Sequence, residues 1–203
     1  MAMRNLPRIN HDYRLTELRR VMEEQSIDRF LTIDSVSIRW VSGFTGSAGQ
    51  LLVGASCAYL VTDGRYAEQA LREISGTDIE LFVGNGAEQK QFLSAQLTNS
   101  KTLTLESERI TWGAVEALKQ QIDAEVKPSS DLIAGLRREK DPGEVARIET
   151  AAAIADEAIA QVLYQLAEGP TEIEFARTLD AAMLDRGAEA LSVETICASG
   201  PNA

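Results

Sequence analysis

Histidine and cysteine are scarce in this sequence of 203 residues, which contains His11, Cys57 and Cys197 and no others of these types. Metal sites and general-base sites usually use several imidazoles. His11 precedes the first clear helical pattern, so we interpret it as a solvated or helix-starting residue. The two cysteines form no CxxC pair, zinc spacing or disulfide framework. We expect both to be buried, reduced thiols.

Basic residues are fewer than acidic ones: the sequence has 20 Lys and Arg and 31 Asp and Glu, which gives a net charge of −11. Nucleic acids and anionic membranes bind clustered positive charge, so neither is expected as a partner. No apolar run approaches the length of a transmembrane helix. The start, MAMRNLPRINHDYR, lacks the apolar segment of a signal peptide. The expectation of reduced thiols indicates a cytoplasmic protein.

What the sequence does contain is an alternation of β-rich runs and amphipathic helical patterns through about residue 128. This alternation predicts an α/β domain with a mixed sheet and flanking helices. Gly54-Ala55-Ser56 joins two of the strands as a hairpin. The predicted helices are 12–25, 36–40, 65–74, 87–97 and 111–122, and the predicted strands are 29–33, 50–53, 58–62, 79–83, 102–105 and 124–126, the last ending at Pro128.

The pattern changes after residue 128. A short helix through Arg138 precedes Asp141-Pro142. Asp141 and Glu144 are predicted to form a capping box, with Pro142 at the first position of a helix of about 26 residues that ends at Gly169-Pro170. A second capping box begins a helix that ends at Gly187, and 191–198 is interpreted as a strand. We place a domain boundary near 128–140, because a single strand in 141–203 has no sheet partner there.

Three local motifs are weak candidates for chemistry. GFTGSAG at 43–49 lacks the Lys-Ser/Thr of a phosphate loop and the GxGxxG spacing, so it is interpreted as a tight loop feeding a strand. Ser47 is not in a GxSxG elbow, and the only histidine available to it is His11. Asp63 has no acidic neighbour in its loop and is expected to cap the helix after Gly64. The residues alone define no catalytic, cofactor or metal site.

Seven segments in one order nevertheless resemble a known family. They are RLTELRRVMEEQSIDRFLTID, WVSGFTGSAGQLLV, YLVTDGRYAEQA, LIAGLRREKDPGEVARIETAAAIADEAI, LAEGPTEIEFARTLDAAMLDRGAE, LSVETICASG and PNA. The chain resembles the N-terminal part of a cytoplasmic Xaa-Pro aminopeptidase of the aminopeptidase P, prolidase and creatinase group. The resemblance implies a creatinase-type N-terminal domain at 1–130, followed at 131–203 by the incomplete start of a pita-bread α+β metallopeptidase domain.

The resemblance also implies a reaction. Two divalent metal ions (Mn, Co or Zn), held by two aspartates, one histidine and two glutamates, would activate water to hydrolyse a peptide with proline at the second position. These ligands and a substrate-binding histidine are expected beyond residue 203, so the chain alone is expected to be inactive. The family assembles as dimers or tetramers. Trp40 and Phe44 could then contact the cleft of another subunit, although core packing is the favoured interpretation.

Two other functions stay open. The chain could be a non-catalytic binding or assembly module of the same architecture, as in pseudoenzyme relatives. The parent protein could instead be a creatine-type amidinohydrolase, which uses the same fold without metals.

Overall fold

The computed structural model describes residues 6–203. Residues 1–5, which begin the segment predicted not to be a signal peptide, lie outside this range. The chain forms two compact units, Asn10–Glu139 and Lys140–Ala203, the second also including residues 6–9. Among the described residues, no helix is long and apolar enough to span a membrane.

The unit at 10–139 alternates helices and strands, as its sequence pattern predicts. Its helices are α1 (His11–Glu24), α2 (Ser35–Ser42), α3 (Ala67–Glu73), α4 (Gly86–Leu97), α5 (Trp112–Lys119) and α6 (Leu132–Leu136), with a 3₁₀ turn at Gly64–Tyr66. Its strands are β1 (Arg29–Thr32), β2 (Gln50–Gly54), β3 (Ala58–Thr62), β4 (Glu80–Val83), β5 (Thr102–Glu106) and β6 (Glu125–Ser129).

The six strands form one mixed sheet in the order β4-β3-β2-β1-β5-β6. Only β2 is antiparallel to its neighbours, β1 and β3, and the other pairs are parallel. Leu31 at the centre lies opposite Leu52 on one side and Leu105 on the other. The α/β architecture with a mixed sheet and flanking helices is therefore confirmed.

Each face of the sheet carries its own hydrophobic core. Because side chains alternate along a strand, Phe30 and Leu31 of β1 enter opposite cores. The core around Phe30 packs against α1, α2, α3 and α6, and that around Leu31 packs against α4 and α5. Burying a side chain of this size contributes about 1.5–3 kcal/mol, so β1 is held strongly from both faces.

The edge strand β6 runs further than predicted. Pro128 does not end the strand but lies within it, opposite Leu105 of β5. Proline lacks an N–H to donate, and an edge strand tolerates this because one of its sides has no neighbouring strand. The prediction that β6 ends at Pro128 was therefore wrong.

The unit at 140–203 begins with α7 (Pro142–Val162), whose capping box at Asp141 and Glu144 is present as predicted. The helix continues to Glu168 in 3₁₀ rather than α geometry, and Gly169 ends it in the left-handed conformation with φ 69°. Then α8 (Glu172–Asp185) begins at a second capping box. Ala158, Val162, Phe175 and Ala182 form the small core between these two helices.

The strand predicted at 191–198 is absent, and this segment has neither helix nor strand geometry. No other strand lies within Lys140–Ala203, so its backbone N–H and C=O groups have no ladder to join. Instead, Cys197 packs against the α7–α8 core. Thr195 Oγ1 donates a hydrogen bond to Asp180 Oδ1 at 2.5 Å. Side chains, rather than sheet pairing, anchor this segment.

Candidate functional site

The glycine-rich loop at 43–49 folds around the ring of Phe44. Gly43 ends α2 in the left-handed conformation, with φ 80°, and a Cβ there would approach His11 Nε2 to 2.9 Å. A Cβ on Gly46 would overlap the Phe44 ring, and one on Gly49 would lie 3.1 Å from it. The loop feeds β2 directly, which confirms its interpretation as a tight structural turn.

Phe44 and Trp40 occupy different environments. Phe44 is 1% exposed and meets Tyr66 edge to face, with ring centroids 5.8 Å apart. Trp40 is half-buried, and the Arg14 guanidinium lies 4.7 Å from its ring centroid. Phe44 therefore belongs to the core, whereas part of Trp40 reaches the surface. Contacts of either residue with a second subunit stay a prediction.

His11 is the first residue of α1 and is half-buried rather than solvated. Its Nδ1 lies 3.2 Å from the carbonyl oxygen of Trp40, to which Arg14 Nη1 also donates at 2.9 Å. The histidine thus helps fix the end of α2 against α1. Of the two interpretations from the sequence, a solvated residue or a helix-starting one, the structure shows the second.

Asp63 caps the 3₁₀ turn at Gly64–Tyr66, as its position in the sequence predicts. Its carboxylate accepts from the backbone N–H of Arg65 at 3.0 Å and from the Arg65 guanidinium at 2.8 and 3.0 Å. These hydrogen bonds lower the pKa of Asp63. Beside it, the hydroxyls of Tyr66 and Ser47 lie 2.7 Å apart, and this hydrogen bond lowers the pKa of Tyr66.

Sequence reasoning missed Glu106, the last residue of β5. One carboxylate oxygen accepts from Thr32 Oγ1 at the end of β1, and the other accepts from Ser37 Oγ of α2 at 3.0 Å. Burial raises the pKa of Glu106, and the hydrogen bonds from Thr32 and Ser37 oppose that shift. A single glutamate at the end of a strand does not stand out in the sequence, because its hydrogen-bond partners lie about 70 residues earlier.

The cluster of Glu106, Thr32 and Ser37 lies at the point in the sheet where the order in which strands are added reverses. From β1 the chain adds β2, β3 and β4 on one side, then crosses to add β5 and β6 on the other. In open α/β sheets, crevices for ligands form at the carboxyl ends of strands flanking such a point. Here Glu106 accepts hydrogen bonds from the hydroxyls of Thr32 and Ser37, and these contacts tie β1, β5 and α2 together.

Neither cysteine is fully buried, which corrects the expectation of buried thiols. Cys57 and Cys197 are both half-exposed free thiols. Cys57 lies in the β2–β3 turn, and a Cβ on Gly54 would lie 3.0 Å from its Sγ. In the part of the chain that the structure describes, no three His, Cys, Asp or Glu side chains form a group that could hold a metal ion.

A second polar cluster lies in the unit at 140–203. Glu172, the first residue of α8, accepts three hydrogen bonds from the segment Ser199–Asn202, which we call the terminal turn. Its Oε1 accepts from Ser199 N at 2.5 Å and Ser199 Oγ at 2.8 Å, and its Oε2 accepts from Asn202 Nδ2 at 3.0 Å. The hydrogen bonds from Ser199 are the main cause of the lowered pKa of Glu172.

Two protein-family models match the chain in succession. The model described as the Creatinase/Prolidase N-terminal domain matches residues 14–138, and the model of Metallopeptidase family M24 matches residues 146–203. Among curated relatives, an uncharacterized peptidase of Bacillus subtilis is 32% identical over 92% of this chain and 53% of the relative. An Xaa-Pro dipeptidase of Pyrococcus horikoshii is 31% identical over 88% of this chain and 50% of the relative.

Solved structures that resemble this chain are also proline peptidases or their N-terminal domains. The Xaa-Pro dipeptidase from Bacillus anthracis matches with a TM-score of 0.79 and 30% identity, over 89% of this chain and 51% of that one. The N-terminal domain of a cytoplasmic peptidase from Mycobacterium tuberculosis matches with a TM-score of 0.56 and 28% identity, over 62% of this chain and 99% of that one. The chain spans about half the length of the curated relatives it matches.

Proposed function

Because the chain belongs to the creatinase/prolidase family, we propose that it is part of a hydrolase that cleaves the peptide bond preceding proline. The observation that carries this proposal is the succession of two family matches, an N-terminal domain and then a metallopeptidase, along one chain. Relatives named Xaa-Pro dipeptidase support proline peptides as the substrate class. The proposed domains are residues 1–130 and the beginning of the peptidase domain at 131–203.

The proposed reaction depends on two divalent metal ions, Mn, Co or Zn. Such a pair lowers the pKa of bound water and stabilises the charge that develops on the scissile carbonyl. The residues described in this structure do not fit that role, because among them no group of three or more His, Cys, Asp or Glu side chains has a geometry that could hold a metal ion. No step of the reaction is therefore assigned to residues 6–203, and we propose that the metal ligands lie in the remainder of the M24 domain.

One comparison tests the proposal. Residues 1–203 and the complete protein, meaning the chain together with the remainder of its M24 domain, are purified and loaded separately with Mn, Co or Zn. Each is assayed with a dipeptide and a tripeptide that have proline second. We expect hydrolysis by the complete protein alone and its loss on adding a chelator.

The other outcomes identify the alternatives. Cleavage of creatine that survives the chelator would replace the proposal with amidinohydrolysis. Absence of both activities from a folded, metal-loaded complete protein would favour a binding module. Hydrolysis by residues 1–203 would show that the active site lies within them.

We also propose a homodimer or tetramer in the cytoplasm. The half-exposed ring of Trp40, next to the loop at 43–49, supports the part of this proposal that concerns subunit contacts. The free state of both cysteines fits a reducing compartment. Light scattering coupled to gel filtration measures the assembly, and fractionation of the source cell tests the location.

A further inference from the structure

The terminal turn is attached to the rest of its unit mainly through one side chain. From Ala188 to Ser199 the chain has neither helix nor strand geometry, and the 3₁₀ turn follows at Gly200–Asn202. Its residues are exposed, so apolar packing contributes little to their position. The carboxylate of Glu172 joins the turn at both ends, through Ser199 and Asn202.

The contacts of Glu172 favour one geometry. An ionised carboxylate accepts hydrogen bonds only, and each of the three groups facing it is a donor. Two donors come from a single residue, the backbone N–H and the hydroxyl of Ser199, which fixes both the direction of the chain and the side-chain rotamer. Such charge-assisted bonds are about twice as strong as neutral ones.

The position of Glu172 strengthens the arrangement. Thr171 caps α8 and Glu174 completes the capping box, so the first turn of the helix has hydrogen-bond partners for its terminal N–H groups. Glu172 is its first residue, and a negative charge there interacts favourably with the helix dipole. A capped helix end therefore presents a charged acceptor to a segment that lacks regular structure of its own.

From this geometry we propose that Glu172 is a positioning residue, which holds the terminal turn so that the M24 domain continues from it in the direction that assembles the active site. The proposal rests on the proposed function. The matched relatives are about twice as long as the aligned region, and the match to the M24 model includes the turn. An error in the direction of the chain at this point would displace whatever groups follow it.

The first experiment uses residues 1–203 and needs no activity. Amide hydrogen exchange at Ser199 is measured by NMR in the native chain, in Glu172→Ala and in the matched control Glu189→Ala, which removes an exposed glutamate of the same unit. Loss of the Glu172 acceptor leaves the Ser199 N–H open to water, so exchange in Glu172→Ala should be roughly 2- to 5-fold faster, the range expected for a solvent-exposed charged contact. The control and the amides in the middle of α8 should be unchanged.

A double-mutant cycle shows whether the effect passes through the turn. Asn202→Ala removes the other end of the contact without altering α8. If Glu172 acts through the turn, the combined effect of Glu172→Ala and Asn202→Ala on Ser199 exchange will be smaller than the sum of the separate effects. Additive effects, or unchanged exchange in Glu172→Ala, would overturn the positioning role whatever the protein catalyses.

The second experiment uses the metal-loaded complete protein and a proline-containing dipeptide. Glu172→Ala should lower kcat by about 10-fold or more, with little change in KM and unchanged metal content. Misplaced catalytic groups slow the chemical step more than they weaken substrate binding. Glu172→Asp, which keeps the charge on a shorter side chain, should restore part of kcat. An unchanged kcat alongside faster Ser199 exchange would overturn the catalytic consequence.

The two experiments also separate this inference from the proposed function. A complete wild-type protein that hydrolyses no proline peptide would overturn the proposed function, and with it the catalytic consequence of the turn. The Ser199 exchange result would still decide whether Glu172 positions the turn.

Discussion

The ring of Phe44 occupies the space where a Cβ atom on Gly46 would lie. Glycine is therefore required at position 46 by a close approach, not by a left-handed backbone. Phe44 is fully buried, so its ring has little room to move away. Gly46→Ala should reduce the free energy of unfolding by about 1–3 kcal/mol, the usual cost of overpacking a core.

Urea unfolding measures this loss. Gly113 in α5 provides the matched control, because a Cβ there meets no atom within 4 Å. Replacing a helical glycine with alanine usually stabilises, so Gly113→Ala should raise the free energy of unfolding by up to about 1 kcal/mol. Equal effects of the two substitutions would contradict the role assigned to the Phe44 ring.

The contribution of Glu106 to the free energy of unfolding of the unit at 10–139 should decrease as the pH rises. Because burial raises its pKa in the folded chain, the folded state binds this proton more tightly than the unfolded state does. Its stabilising contribution is complete below the unfolded-state pKa and is lost as pH rises through the higher folded-state pKa. Glu106→Gln, which does not titrate, should lack this component.

Chemical unfolding of both forms across the acidic range up to neutral pH tests the Glu106 prediction. The difference in free energy of unfolding between the native chain and Glu106→Gln should change in that window and level off above it. Glu108→Gln, which makes the same change of side chain at an exposed position nearby, is the matched control. A pH-independent difference between native and Glu106→Gln chains would show that the burial of Glu106 is not linked to folding.

Trp40 offers a test of the proposed subunit contact. In the complete protein, Trp40→Ala should weaken self-association by about 10-fold or more, since partly exposed tryptophans are frequent hot spots of interfaces. Trp112 is the matched control, because it is 74% exposed and likewise lies beside a cation, with Lys119 Nζ 5.2 Å from its ring centroid. Sedimentation equilibrium that gives equal dissociation constants for Trp40→Ala and the native protein would restrict Trp40 to packing.

The unit at 140–203 exposes many large apolar side chains. Ile148 is 54% exposed and Ile196 is 90% exposed, and the others are Val145, Ile159, Leu163, Tyr164, Leu166, Ile173, Leu184 and Val193. Residues 1–203 should therefore associate non-natively or be trimmed by proteases. The double variant Ile148→Lys with Ile196→Lys should reduce binding of a hydrophobic dye and aggregation measured by light scattering.

The Ile148 and Ile196 prediction has its own control. Leu71 of α3 is 65% exposed but lies in the unit at 10–139. Leu71→Lys should leave aggregation nearly unchanged if the apolar surface at 140–203 is responsible. A similar improvement from Leu71→Lys would point to overall charge instead.

Local patterns predicted most of the fold because their physical causes are local. Asp141 and Glu144 were identified as a capping box, since both partners lie within one helical turn. Asp63 was identified as a cap for the same reason. The prediction of a strand at 191–198 failed because a strand needs a neighbouring strand to pair with. An apolar pattern does not reveal whether that neighbour is present.

The polar clusters were harder to predict. Glu106 with Ser37 and Glu172 with Ser199 are both long-range pairs, separated by 69 and 27 residues. Nothing in the spacing of such residues distinguishes them from solvated side chains. Their identification required the topology that brings the end of β5 to β1 and the terminal turn to α8.

The central position of β1 has a consequence for biosynthesis. During translation, β1 can pair with β2 once residue 54 has left the ribosome, but its other side waits for β5, which ends at Glu106. Until then Leu31 lacks its neighbour Leu105, and β1, a central strand of the finished sheet, is an open edge. The nascent chain thus passes through a stage of about 50 residues in which a chaperone, or pairing with another nascent chain, would find β1 accessible.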